Sequence, residues 1–387
     1  MRATATSLLV RGESPTRVVS SLREAAAALT SSSGASSGNR PAGGLVVVSG
    51  GMATKVEALA ESLGRAELGF PVLIASSTGV LTERGEVEGE SAAAGLLWLG
   101  GVADAWVTSA SESELCLALS RELCARNAGA RTETALVFIR PNGVQPHSIE
   151  ALHGLKASRV MGAGTLPDSD VYAVAASGAV SRGAGGALTV RGLPLPLSAS
   201  SPACKLLMPL RAISEVRGPM VLSIEGEPAL EVLSTVAHAL VDQPLVFVAL
   251  ATEPGQSSIR PPLLLRAVQG VDPSRHGLIV SEEVKKGMRI AFAIRDASAA
   301  RADFEMRIRE IARASAGAAP RFGICLNCAG RGVSLYKKPD TDLRMLKARF
   351  GEIPWVGLFS SFEIAPHGGE PALQLYTAVV GLFTSPS

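Results

Sequence analysis

Apolar and polar positions alternate along this chain in a recipe that occurs twice. In the first segment an apolar run at 45–48 ends in Ser49, Gly50 and Gly51, and Thr54 with Glu57 is spaced as a capping box. The spacing of Val56, Leu59, Ala60 and Leu63 predicts a helix with one inward face, closed by Gly64. Pro71 then precedes a strand at 72–75, the polar loop Ser76, Ser77, Thr78 and Gly79, and an apolar run at 92–99. The second segment runs through an apolar stretch at 322–326, the loop Asn327, Cys328, Ala329 and Gly330, and a helix capped by Asp340 with Leu343, Leu346 and Phe350 inward. After Gly351 come Pro354, a strand at 355–359, Ser360 and Ser361, a turn at Gly368 and Gly369, and an apolar run at 375–383.

Strand, helix, strand, polar loop, strand in both places predicts a duplicated α/β (α+β) architecture: two similar halves, each a mixed, largely antiparallel sheet flanked by helices. Leu59 and Leu346 are its expected equivalent core residues. Between the segments the pattern predicts a helix from Ser111 to Gly129 with Leu115, Leu119 and Leu123 inward. It also predicts strands at 135–139, 171–175, 187–190, 220–224 and 245–250, and a helix carrying Leu230, Leu233, Ala237 and Leu240. Further on stand a strand at 287–294 and a helix with Phe304, Ile308 and Ile311 on one stripe. The proline-rich stretch 193–209 reads as a linker or a crossover, and 31–43 as a flexible loop.

Composition narrows the class. With 387 residues and 47% hydrophobic content the chain buries a sizeable core, and no stretch nears the roughly 20 apolar residues that span a bilayer. A formal charge of +2 is too small a footprint for nucleic acid. Five cysteines in so long a chain suit a reducing compartment rather than a disulfide framework, so the expected location is the cytoplasm. The first residues lack a signal-peptide core.

Phosphate-loop and HExxH motifs are absent from the sequence, and no catalytic residue is assigned. Cys325 and Cys328 form a CxxC without a second ligand pair; on a strand they point to opposite faces, which favours structural thiols over a metal site. The five histidines are scattered, and His238 falls on the polar side of its helix. No cofactor and no metal is therefore expected. The more informative constellation is two loops at strand ends. Cys328, Arg331 and Gly332 place a thiol, a guanidinium and backbone donors together, while Ser360, Ser361 and Glu363 add hydroxyls and a carboxylate. Arg331 forked onto a carboxylate and Glu363 opposite an ammonium would hold a small zwitterion; an internal Arg–Glu pair bracing two turns is the alternative. A nucleophilic Cys328, its acidity raised by Arg331, is the rival from enzyme chemistry.

The chain resembles the FIST domain family, with its N-terminal and C-terminal parts. The C-terminal match rests on Arg295 and Asp296, the run Cys328, Ala329, Gly330, Arg331 and Gly332, Gly357, Leu358 and Phe359, Glu363 and Ile364 with Pro366, and Tyr376, Thr377, Ala378 and Val379. The N-terminal match rests on 76–81, Gly162, Ala163 and Gly164, and 226–230. The resemblance implies domains at 1–225 and 226–387. It also implies an intracellular sensory protein that binds a small ligand such as an amino acid and signals through another chain in trans. Haem, a ligand in part of the family, would need a buried histidine that the sequence does not reveal. Two positions depart from the family pattern: Phe362 stands where glycine is usual before the glutamate, and Val80 where a glutamate is common. Ser76, Ser77 and Thr78 make the equivalent loop of the first half a secondary candidate.

Overall fold

The computed structural model describes residues 3–32, 40–111, 114–126, 133–142, 144–153, 158–238, 240, 245–251 and 263–386. The recipe seen twice in the sequence occurs three times. The first copy comprises β1 (Ala5–Arg11), α1 (Pro15–Ser32), β2 (Gly43–Ser49), α2 (Val56–Ala66), β3 (Val72–Ser77), the hairpin β4 (Gly79–Thr82) and β5 (Gly85–Glu88), and β6 (Ala92–Trp98). The second comprises β7 (Val102–Thr108), α3 (Leu115–Arg126), β8 (Glu133–Ile139), α4 (Pro146–Ile149), β9 (Ser158–Gly164), the hairpin β10 (Val171–Val174) and β11 (Val180–Gly183), and β12 (Gly185–Arg191).

The third copy begins with β13 (Leu197–Pro202) and is then interrupted. The interruption holds β14 (Cys204–Leu206), β15 (Arg211–Arg217), β16 (Met220–Ile224), β17 (Glu227–Pro228), α5 (Ala229–His238), β18 (Val246–Ala251), β19 (Leu263–Asp272), β20 (Gly277–Val280) and β21 (Arg289–Arg295). The copy resumes with α6 (Ala297–Ala314), β22 (Pro320–Cys328), the short α7 (Gly332–Tyr336), α8 (Thr341–Phe350), β23 (Trp355–Ser360), the hairpin β24 (Glu363–His367) and β25 (Glu370–Gln374), and β26 (Thr377–Thr384).

Each copy builds a mixed sheet with one parallel pair: β2 with β3, β8 with β9, and β22 with β23. The remaining pairings are antiparallel, and helices flank the sheets, as the sequence pattern implies. Each copy lends its hairpin to a neighbour's sheet. The strand orders are β1-β6-β2-β3-β10-β11, β7-β12-β8-β9-β24-β25 and β13-β26-β22-β23-β4-β5, so one pattern closes cyclically through three exchanges. The inserted strands form a fourth sheet that closes on itself where β18 pairs with β21. This barrel leaves and re-enters at one point, since Cys204 is the ladder partner of Arg295 and the Asp296 N–H donates to Ala203 O at 3.4 Å.

The three sheets share one core. Leu45, Leu73 and Ala94 from the first, Phe138 and Met161 from the second, and Ile324, Leu326 and Leu358 from the third belong to it, and Trp98, Phe322 and Phe383 stack at 5.8 and 4.4 Å. Outward residues of the same strands, such as Val46 and Val48, meet α1 and α2 instead. That is why these strands read as unbroken apolar runs: both faces are covered. Leu59 and Leu346 are each fully buried under their own sheet.

Several local expectations are corrected. Thr54 lies in a 3-10 turn that precedes α2 and donates to Gly51 O, so the capping box with Glu57 does not form. The first-segment helix runs past Gly64 to Ala66 and ends on left-handed Glu67. Asp340 precedes α8 as expected, yet its carboxylate accepts the Glu86 N–H at 2.7 Å instead of capping the helix. The stretch 193–209 is no linker, for it contains β13 and β14; β13 is paired along its whole length with β26. Helix α5 buries Ala229 and Val232, with Leu230 and Leu233 half-buried. Gly129, the expected end of α3, and residues 33–39 of the expected loop lie outside the described residues. Residue 225 falls in the turn between β16 and β17, inside the barrel.

Candidate functional site

Inward-facing positions of the central strands turn polar where the strands end. Ser77 is the parallel partner of Ser49, Ser360 of Cys328, and Ala163 of Phe138; Glu363 pairs directly with Ala163. The structure thus brings together Cys328, Ser360 and Glu363 from the sequence-derived set. The Ser360 hydroxyl donates to Glu363 Oε1 at 2.8 Å, and Glu363 itself is 0% exposed. Burial lifts the Glu363 carboxyl well above its ordinary pKa, against the opposing hydrogen bonds of Ser360 and the Thr377 N–H.

Arg331 and Gly332 turn elsewhere. The Arg331 guanidinium, 1% exposed, donates to Asp342 Oδ2 at 2.5 Å and to Ser201 O at 3.0 Å, and stands over the Phe304 and Tyr336 rings. Tyr336 donates to the other Asp342 oxygen at 2.8 Å. Burial opposes the charge, but the Asp342 charge and hydrogen bond together with Tyr336 outweigh it and hold Arg331 firmly protonated. This is a buried structural ion pair, with Asp342 in the place foreseen for Glu363. A side chain at Gly332 would overlap the Glu88 carboxylate, which accepts the Val333 N–H at 2.9 Å.

Ser361 is exposed, and Phe362 points away from Glu363 into the core under α3 and α4. Ser76 accepts the Leu166 N–H at 3.3 Å, and Thr78 donates its hydroxyl to Phe359 O at 2.9 Å, so these first-copy residues brace the neighbouring strand ends. Arg331, expected to raise the acidity of Cys328, is turned to Asp342, and burial, followed by the Glu363 charge, pushes the Cys328 thiol up to about 12. Cys325 faces the helices on the other side of β22. His238 is exposed, whereas burial and the Arg266 charge push the half-buried His367 down to about 4. Among the described residues no group of three or more His, Cys, Asp or Glu side chains is placed to hold a metal ion.

Open space lies nearby, where the barrel meets the third copy. A cavity of about 490 Å3 is lined by Cys204, Lys205, Leu206 and Leu210 on the barrel side and by Asp303 and Arg307 of α6 on the other. Leu263, Pro202, Ala299 and Ala302 complete an apolar wall. Arg307 Nε stands 3.8 Å from Asp303 Oδ2, and its Nη1 donates to Glu310 at 3.1 Å. Burial and the Asp303 charge push the Cys204 thiol up to about 12. None of these residues belongs to a motif. The legible signal was the spacing of Asp303 and Arg307, four apart beside the apolar stripe of Phe304 and Ile308, whereas only the tertiary fold sets β14 opposite them.

Residues 229–366 match the family model described as the FIST C domain, the part of the chain where the resemblance is most specific. The match begins at α5 and covers most of the barrel and the third copy through β24. Two curated relatives are the uncharacterized protein Rv0628c of Mycobacterium tuberculosis, 28% identical over 48% of this chain and 50% of its own length, and the uncharacterized protein Mb0898c of Mycobacterium bovis, 28% identical over 50% and 51%. The chain spans about half the length of the curated relatives it matches. No helix among the described residues is long and apolar enough to cross a membrane.

Proposed function

We propose that this chain is a cytoplasmic sensor whose ligand, an amino acid or a metabolite of similar size, occupies the cavity between β14 and α6. FIST domains are associated with signal transduction and small-ligand sensing, which supports the general reading. The observation that carries the ligand class is the lining of that cavity. It sets charges of both signs, Asp303 against Lys205 and Arg307, beside an apolar wall of Leu206, Leu210 and Leu263. Asp303 suits an ammonium, the two cations suit a carboxylate, and the wall suits an aliphatic tail. One side of the cavity belongs to the barrel and the other to the three-sheet body, so a ligand there ties the two together. A signalling protein in trans would read that change.

A thermal-shift screen of the chain against amino acids and related metabolites tests the reading. A ligand at ~100 times its dissociation constant stabilises by about 2.7 kcal/mol, and Ala302→Trp, which fills the cavity, should remove that shift. A shift that persists in Ala302→Trp and Asp303→Asn would place the ligand elsewhere.

A further inference from the structure

Glu363 and Gln374 are ladder partners at the base of the β24–β25 hairpin, 0% and 1% exposed. Ser360 and the Thr377 N–H satisfy one side of the Glu363 carboxyl. Its Oε2 has no hydrogen-bond partner, and neither has Nε2 of Gln374, although the two residues share a rung. Arg295 donates through Nη2 to Gly330 O and leaves its Nε open. Cys328 links these groups, since its thiol responds to the charges of both Glu363 and Arg295. Tyr376 closes the outer side, with its ring beneath Arg295 and against Phe247 of the barrel.

Buried polar groups are normally satisfied, so open valences gathered in one place call for a group from outside the chain. Gln374 Nε2 and Arg295 Nε only donate. The Glu363 Oε2 accepts when ionised and donates when protonated, and burial favours the protonated form. Two open donors on one rung, with Arg295 carrying a third over the adjoining Tyr376 ring, suit an acceptor with two oxygens. We propose that the nest of Glu363, Gln374 and Arg295 is a second binding site, for a small carboxylate that shares a proton with the Glu363 carboxyl. The other titratable or charged groups around it are Cys328 on β22, Tyr376 before β26, and Arg331, whose charge Glu363 feels.

Acetate and formate are the probes, titrated calorimetrically into the full chain at about pH 6 and about pH 8, in buffers of different ionisation enthalpy. The expected result is saturable binding that holds while Glu363 is protonated and weakens, by up to ~tenfold per unit, as rising pH ionises the free site, with a heat that follows the buffer only where the free site is ionised, because only there is a proton taken up. Glu363→Gln keeps a neutral donor and should bind acetate without the pH dependence, while Gln374→Leu should lose ~tenfold or more in affinity. Ala302→Trp, which blocks the separate cavity, should leave acetate binding intact, so failure of the cavity reading and failure of this one are distinguishable. The wild-type titration suffices if a variant does not fold. Absence of saturable acetate binding at either pH would mean that water fills the nest, and binding independent of pH or unchanged in Gln374→Leu would equally overturn the proposal.

Discussion

Ser77 and Ser360 reach the same pair of carbonyls from equivalent places in two copies of one motif. The Ser77 hydroxyl lies 2.7 Å from Gly79 O and 3.3 Å from Val48 O; that of Ser360 lies 3.0 Å from Phe362 O and 3.4 Å from Asn327 O. Each bridges its own loop, two residues on, to the parallel strand beside it. In the remaining copy Thr165 stands in this position, its hydroxyl donating to Leu166 O at 3.3 Å and Ser169 O at 3.4 Å, and Glu363 from the borrowed hairpin pairs with Ala163 two residues before it. The polar end of the shared core is therefore symmetric in backbone and asymmetric in chemistry.

Ser360 differs from Ser77 in also serving the Glu363 carboxyl. Ser77→Ala should cost about 1 kcal/mol in urea unfolding, and Ser360→Ala about 1 to 3 kcal/mol, because a buried carboxyl oxygen loses its donor as well. Equal costs would show that Glu363 does not depend on Ser360.

Arg331→Met should destabilise the unliganded protein by about 3 to 5 kcal/mol, since it strands Asp342 in the interior. Arg331→Met combined with Asp342→Leu should recover much of that loss. The cavity ligand should bind the double variant normally, because neither residue lines the cavity. A single variant of wild-type stability would refute the structural role.

Glu86 ties the borrowed hairpin to α8: it accepts the Asp340 N–H at 2.7 Å and donates its own N–H to the Asp340 carboxylate at 2.7 Å. Burial, then the Asp342 charge, raises its carboxyl from 4.5 to about 8. Between those values the folded chain holds a proton that the unfolded chain has released, so this group's contribution to stability falls as pH rises from 4.5 to about 8. In Glu86→Gln the decline should shrink by a few kcal/mol on the difference curve against wild type. Parallel stability–pH curves would mean that Glu86 is ordinarily ionised.

Leu59→Ala and Leu346→Ala should each cost about 2 to 5 kcal/mol, as both side chains are fully buried between helix and sheet. A melting temperature untouched by either change would contradict that packing. A cut at residue 225 should by contrast leave neither fragment folded, because β13 and the hairpin β4–β5 belong to the sheet built around β22. Circular dichroism of fragments 1–225 and 226–387 checks this; two cooperative melts would restore the division into halves.

The sequence by itself determined most elements and the mixed sheets flanked by helices, because buried runs and helix stripes are local patterns. It also determined that Cys328, Ser360 and Glu363 gather, since all three sit at strand ends of one repeat. The tertiary structure decided what spacing does not encode. The middle copy escaped notice because its second helix, α4, is a single turn without the apolar stripe that marks α2 and α8. Exchange of hairpins among three sheets is a choice of partner at sheet edges, and alternation within a strand is silent about which edge it meets. For the same reason Arg331 found Asp342: α7 turns the chain so that α8 lies beneath the guanidinium, and a buried cation takes the carboxylate that packing delivers to it rather than one that the sequence pattern sets in a neighbouring loop.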